Sequence, residues 1–297
     1  MKTVLRFFSW LAVPLLLTGC SNLKDTLPAT TQTAGVHPEG WISKTSADFH
    51  GAAIRAQGWD MRTCQTCHGS RYNGGTSGVS CLTCHTGGAG PENCSTCHGS
   101  ATSPAPPRDL NGNTANTARG VGAHQVHLMG TTRAKALTCA ECHSIPGSVY
   151  EPGHVDSDPP AEVLMGNYLA NLQTNLPTTS RYSASLPLFD PNPAYDPATT
   201  SCSSAYCHGT FKNGNPTNTP VWNNPASAAC GTCHGDPTAA TTAQKALPKT
   251  SAQGGTHTTN TNCANCHGGV VDASLRFINA SKHIDGKLNL FGSDIEY

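Results

Sequence analysis

The sequence predicts an irregular, loop-rich fold with few short helices and a core not built mainly from its own side chains. Three observations carry that expectation. Leu, Ile, Val and Phe together number 46 of 297 residues, too few for a core of the usual size at this length. Thirty Gly and 21 Pro recur with Asn, Ser and Thr, so helical periodicity is short wherever it occurs. The formal net charge is zero, which gives no basic footprint for nucleic acid. A chain this poor in core formers either stays disordered or borrows apolar mass from a group that is not amino acid.

The N-terminus reads as an export signal: basic Lys2 and Arg6, then an apolar run from Phe7 to Leu17 that is too short to span a bilayer. It ends in Leu17-Thr18-Gly19-Cys20, which resembles the bacterial lipobox, with Cys20 as the lipidated residue. The alternative is a plain signal peptide beside an unpaired cysteine. Loss of residues 1–19 removes two basic groups and leaves a net charge of −2. No later stretch is apolar enough to cross a membrane, so lipid alone is expected to hold the exported chain there.

Six segments carry C-x-x-C-H: Cys64, Cys67 and His68; Cys81, Cys84 and His85; Cys94, Cys97 and His98; Cys139, Cys142 and His143; Cys230, Cys233 and His234; Cys263, Cys266 and His267. This is the attachment signature of c-type haem, two sulfurs for the vinyl positions and an adjacent imidazole for the iron. Zinc sites also use paired cysteines but do not require histidine directly after the second one each time. A disulfide framework does not require it either. Cys202, Cys207 and His208 form a seventh segment, "CSSAYCH", with four residues between the cysteines. Counting it pairs 14 of the 15 cysteines and leaves Cys20.

Histidine gives an independent count. Seven of the 14 follow a second cysteine, and seven do not: His37, His50, His124, His127, His154, His257 and His283. The match suggests one distal ligand per haem. Met61, Met129 and Met165, the usual alternative ligand type, are too few. The expected cofactor content is therefore seven haem c, with a chain of packed haems as the core.

The sites divide the chain. Residues 1–19 form the signal and 20–34 a lipid-anchored tether; 35–100 form a three-haem module and 101–119 a Pro/Asn/Thr-rich linker. Residues 120–156 hold one haem, 157–200 a haem-free insertion, and 201–297 a second three-haem module. Within the insertion, the apolar run from Val163 to Leu172 is a candidate helix. Short helical turns are expected at the attachment sites. An internal echo places one histidine before and one after a site twice: "GAHQVHL" and "PGHVD" around Cys139–His143, "GGTHTTN" and "SKHIDG" around Cys263–His267. In that echo, Asp156 and Asp285 either orient His154 and His283 or form turns.

"HPEGW", "FHG", "CQTCHGSRYNGG", "SCLTCH", "GAHQVHL", "CSSAYCHG", "VW", "CGTCHG" and "HIDG" together resemble the CxxxxCH/CxxCH multihaem c-type cytochromes of dissimilatory metal-reducing bacteria. The resemblance spans residues 35–290 and is weakest in 157–200. It implies thioether attachment at Cys202 and Cys207, His208 as a proximal ligand, and His37 and His50 as distal ones. It also implies a lipoprotein of the outer membrane or periplasm that passes electrons to other redox proteins or to extracellular acceptors such as metal oxides. Ser21 is not the aspartate typical of inner-membrane retention, which favours the outer membrane. The expected function is electron transfer through low-spin haems, without catalysis. One rival is an oxidoreductase with an open haem acting on a nitrogen or sulfur oxyanion, its best opening being a non-ligating His37, His127 or His257. The other is a filament subunit that donates a distal histidine to its neighbour.

Overall fold

A computed structural model describes residues 36–100, 105, 108–157, 161–165 and 168–297. The signal, Cys20 and the tether lie outside the described residues, as do parts of the linker and of the insertion. The chain divides into two compact units, the first ending at Gln57 and the second running Gly58–Tyr297.

In the first unit, α1 (His50–Ala56) is the one helix among the described residues. In the second, regular structure is confined to short pieces: α2 (Gln65–His68), α3 (Cys94–Cys97), α4 (His124–Leu128), α5 (Thr242–Ala246) and α6 (Ala264–His267). Between them lie single 3-10 turns and two antiparallel ribbons. β1 (Ala194–Asp196) pairs with β2 (Ser201–Ser203), and β3 (Leu288–Leu290) with β4 (Ser293–Ile295). The helices run four to seven residues. Gly69, at φ 81°, ends α2, while Thr241 and Gln244 close a capping box over the start of α5.

The side chains do not make an ordinary core. The buried apolar residues described are Met61, Tyr72, Ala105, Val121, Ala170, Ala205, Tyr206 and Val270, most of them alanine or valine on small loops. The largest fully buried side chains are polar, Asn175 and Thr174. Asn175 Nδ2 donates to the carbonyls of Ser183, Leu186 and Pro187, so it staples the loop that follows it where apolar packing is absent.

Two local expectations are corrected. Among its described residues the run from Val163 to Leu172 shows no α-helix; its regular part is one 3-10 turn, Leu169–Asn171. The Leu164 N–H is used elsewhere, donating to the Cys142 carbonyl at 2.8 Å. At Cys230–His234 there is no helical turn either. Gly231 sits at φ 95°, and the Asn215 amide takes the carbonyls of Gly231, Thr232 and Gly235, so a turn and bends clamped by Asn215 replace the helix.

Candidate haem-binding sites

Most C-x-x-C-H segments fold as one helical turn. The histidine N–H returns to the first cysteine carbonyl at 2.9 Å in His85, His98 and His143 and 2.8 Å in His267. Positions i, i+3 and i+4 of such a turn share a face, so both sulfurs and the imidazole emerge on one side. The longer segment is built differently. Cys202 lies on β2 opposite Tyr195, Ser204 turns the chain at φ 53°, and Tyr206–His208 forms the closing 3-10 turn. The extra residues therefore form the bend, and the Cys207-His208 step is kept.

None of the fourteen described cysteines is in a disulfide. Burial pushes the Cys142 thiol up to about 11 and that of Cys207 up to about 12. Burial lowers His98, His124, His127 and His283 and brings His208 and His234 down to about 4. These rings are neutral at neutral pH, the form that binds a metal.

Five spare histidines each face one attachment-site histidine. Ring centroids stand 6.0 Å apart for His98 and His154, 6.3 Å for His143 and His124, and 6.0 Å for His208 and His127. They stand 6.3 Å apart for His234 and His283 and 6.4 Å for His267 and His257. A metal bonds an imidazole nitrogen at about 2 Å, so two rings on opposite sides of one iron have centroids about 6 Å apart. The residues present fit that arrangement.

Backbone carbonyls hold the rings. Because a carbonyl only accepts, each of these bonds places the proton on Nδ1 and leaves the Nε2 lone pair for a metal. His143 donates to Glu162 O at 2.7 Å, His154 to Val149 O at 2.8 Å, and His283 to Arg133 O at 2.6 Å. His124 donates to Val121 O and His127 to Ala123 O, both at 3.0 Å. His234 uses Ala246 O, His257 Thr258 O and His267 Asn289 O. Asp156 and Asp285 are turn formers: their carboxylates accept from the N–H groups of Gly153 and Lys287.

The internal echo has a spatial meaning. In both copies the preceding histidine, His124 or His257, pairs with the site inside its own copy. The following histidine, His154 or His283, reaches back to the preceding site, at His98 or His234. His127, an addition to the first copy, reaches forward to His208.

In the first unit, His37 stacks on Trp41 with centroids 4.3 Å apart, and His50 Nδ1 donates to Trp41 O at 2.9 Å. In the second, His68 Nδ1 bonds Val79 O at 2.8 Å. Around His85 lies a cavity of about 470 Å³ lined by Tyr72, Leu82, Gly90 and Glu92 among others. Two of its lining residues are joined by a hydrogen bond from Tyr72 to Glu92 at 2.8 Å, and the Tyr72 hydroxyl also meets that of Tyr150 at 3.3 Å.

Sequence reasoning missed the carbonyl partners, which carry no side-chain signal, and Trp222, which lies against both His124 and His127. The "VW" pair was a visible marker of the latter.

Residues 201–234 match the family model described as the Geobacter CxxxxCH...CXXCH motif. No curated protein and no solved structure matches the chain. With its other cysteine pairs, the chain thus has the motif content of a multihaem c-type cytochrome for electron transfer.

Proposed function

We propose that this chain is a lipid-anchored electron carrier with seven covalently attached haems, each iron held between two histidines. The observation that supports it best is the set of five imidazole pairs at 6.0–6.4 Å, each joining an attachment-site histidine to a spare one. When bound, haem c supplies an iron that cycles between ferric and ferrous states. The chain's own contribution would be two neutral imidazoles for each iron, which would leave no place for a substrate and favour a low potential. His127 and His257, two of the three openings for an oxidoreductase, both stand opposite attachment-site histidines.

The pairing also suits a wire. A distal histidine that reaches back to the preceding site ties consecutive haems to the same short stretch of backbone, so separations stay fixed. We assign the lipid anchor to Cys20, the location to the outer membrane, and the partners to other redox proteins or extracellular acceptors such as metal oxides.

Intact-mass measurement of the mature protein is expected to show seven covalent haems. Six would mean that the segment Cys202–His208 is vacant and would refute the count. Changing Cys20→Ala is expected to move the protein from the membrane fraction to the soluble one; retention in membranes would refute lipid anchoring.

A further inference from the structure

Trp222 stands against the distal imidazoles of two neighbouring sites. His124 and His127 lie one turn apart on α4 and face different proximal rings, His143 and His208. The indole lies nearly parallel to His127 but displaced from it, with centroids 5.7 Å apart and planes 16° apart. It meets His124 edge-on, at 4.7 Å and 88°. Its own position is fixed by a hydrogen bond from Nε1 to Arg119 O at 2.8 Å and one from its backbone N–H to Thr200 O at 2.6 Å. Beside it, Asn223 Nδ2 donates to Thr117 O at 3.0 Å. Gly122 makes the room: a Cβ there would lie 1.9 Å from Trp222 Nε1.

The two imidazole pairs differ in orientation. The planes of His124 and His143 are 27° apart, while those of His127 and His208 are 81° apart. Each axial imidazole donates π density mainly to the one iron d orbital perpendicular to its ring. Near-parallel rings act on the same orbital, split the pair and stabilise the ferric state. Crossed rings act on one orbital each and leave the two nearly degenerate. Crossed ligation therefore gives a strongly anisotropic low-spin EPR signal and a more positive potential; parallel ligation gives a rhombic signal and a lower one.

We propose that Trp222 is a positioning residue that sets the plane of the His127 imidazole, making the haem of the C-x4-C-H segment more oxidising than its neighbour at His143. The proposal rests on the bis-histidine reading above. It also accounts for the tryptophan within the matched segment, since the stretch that carries the seventh site brings the residue that orients that site's distal ligand. The His234 and His283 pair, also crossed at 81°, belongs to the same electronic class and does not touch Trp222.

The test compares the full haem-loaded protein with Trp222→Leu and Trp222→Phe by EPR integration and redox titration, each checked for haem count and spin state. Wild type is expected to show both signal classes. Trp222→Leu should move one haem's share of intensity from the anisotropic to the rhombic class and lower one midpoint potential. Trp222→Phe, which keeps a ring against His127, should restore the wild-type spectrum. An unchanged spectrum in Trp222→Leu, with seven low-spin haems, overturns the proposal, as does a wild-type spectrum without the anisotropic class. Should Trp222→Leu fail to load haem, Gly122→Ala, which drives a methyl group against the indole, takes its place with the same two outcomes. High-spin iron or fewer than seven haems in wild type would instead defeat the ligation reading.

Discussion

Chain produced without haem attachment is expected to have no stable tertiary structure, with collapsed amide dispersion by NMR and a coil-like circular dichroism spectrum. The described helices are four to seven residues long, below the roughly 12–15 residues at which an isolated helix becomes even marginal. The strands are three residues each, and a lone ribbon is marginal in water. Ordering costs about 1–2 kcal/mol per residue in backbone entropy. Against that stand eight buried apolar side chains among the described residues, most of them Ala or Val and none Leu, Ile or Phe. Hydrogen bonds cannot make up the difference, because each returns only about 1 kcal/mol net. A well-dispersed NMR spectrum from the haem-free chain would show that the polypeptide folds alone, and would remove the reason for its composition.

Replacing His283 by Ala is expected to convert one haem of seven to high-spin iron while the other six stay low-spin. His283 faces His234 at 6.3 Å and is anchored by its Nδ1 donation to Arg133 O. It lies beyond the Cys263–His267 site in sequence, so its assignment to His234 is the least obvious of the five. The opened iron should bind carbon monoxide when reduced, which a six-coordinate iron does not, and added imidazole should restore the low-spin spectrum. Rescue by imidazole separates loss of a ligand from loss of structure. If His283→Ala keeps all iron low-spin, that pairing is wrong.

The helical turns at most Cys-x-x-Cys-His segments were legible because the geometry is local: the spacing places two sulfurs and an imidazole on one turn, and sequence alone states the spacing. The shortage of core formers was equally plain, and the loop-rich chain with few short helices follows from it. The pairing of distal histidines was not legible. His154 sits eleven residues from His143 yet faces His98, presented by a turn in which its own N–H returns to Glu151 O at 3.1 Å. Nor did the sequence show what the insertion does. It supplies the Glu162 carbonyl that holds His143 and the Ala170 N–H that donates to buried Glu141 at 2.7 Å. Backbone groups make these contacts, and they are the same for every residue type. The turn at Cys230–His234 failed the helical expectation for a reason the sequence did contain, a glycine after the first cysteine. What it did not show was that Asn215 would bond to three carbonyls there.

The most direct measurement of the central claim is an experimental structure of the haem-loaded protein in which both axial ligands of every iron are resolved. The account predicts seven irons, each between two imidazoles, including the pairs His98 with His154, His143 with His124, His208 with His127, His234 with His283 and His267 with His257. An iron with water or an empty position opposite its proximal histidine, or any of these five pairs exchanged, would contradict it.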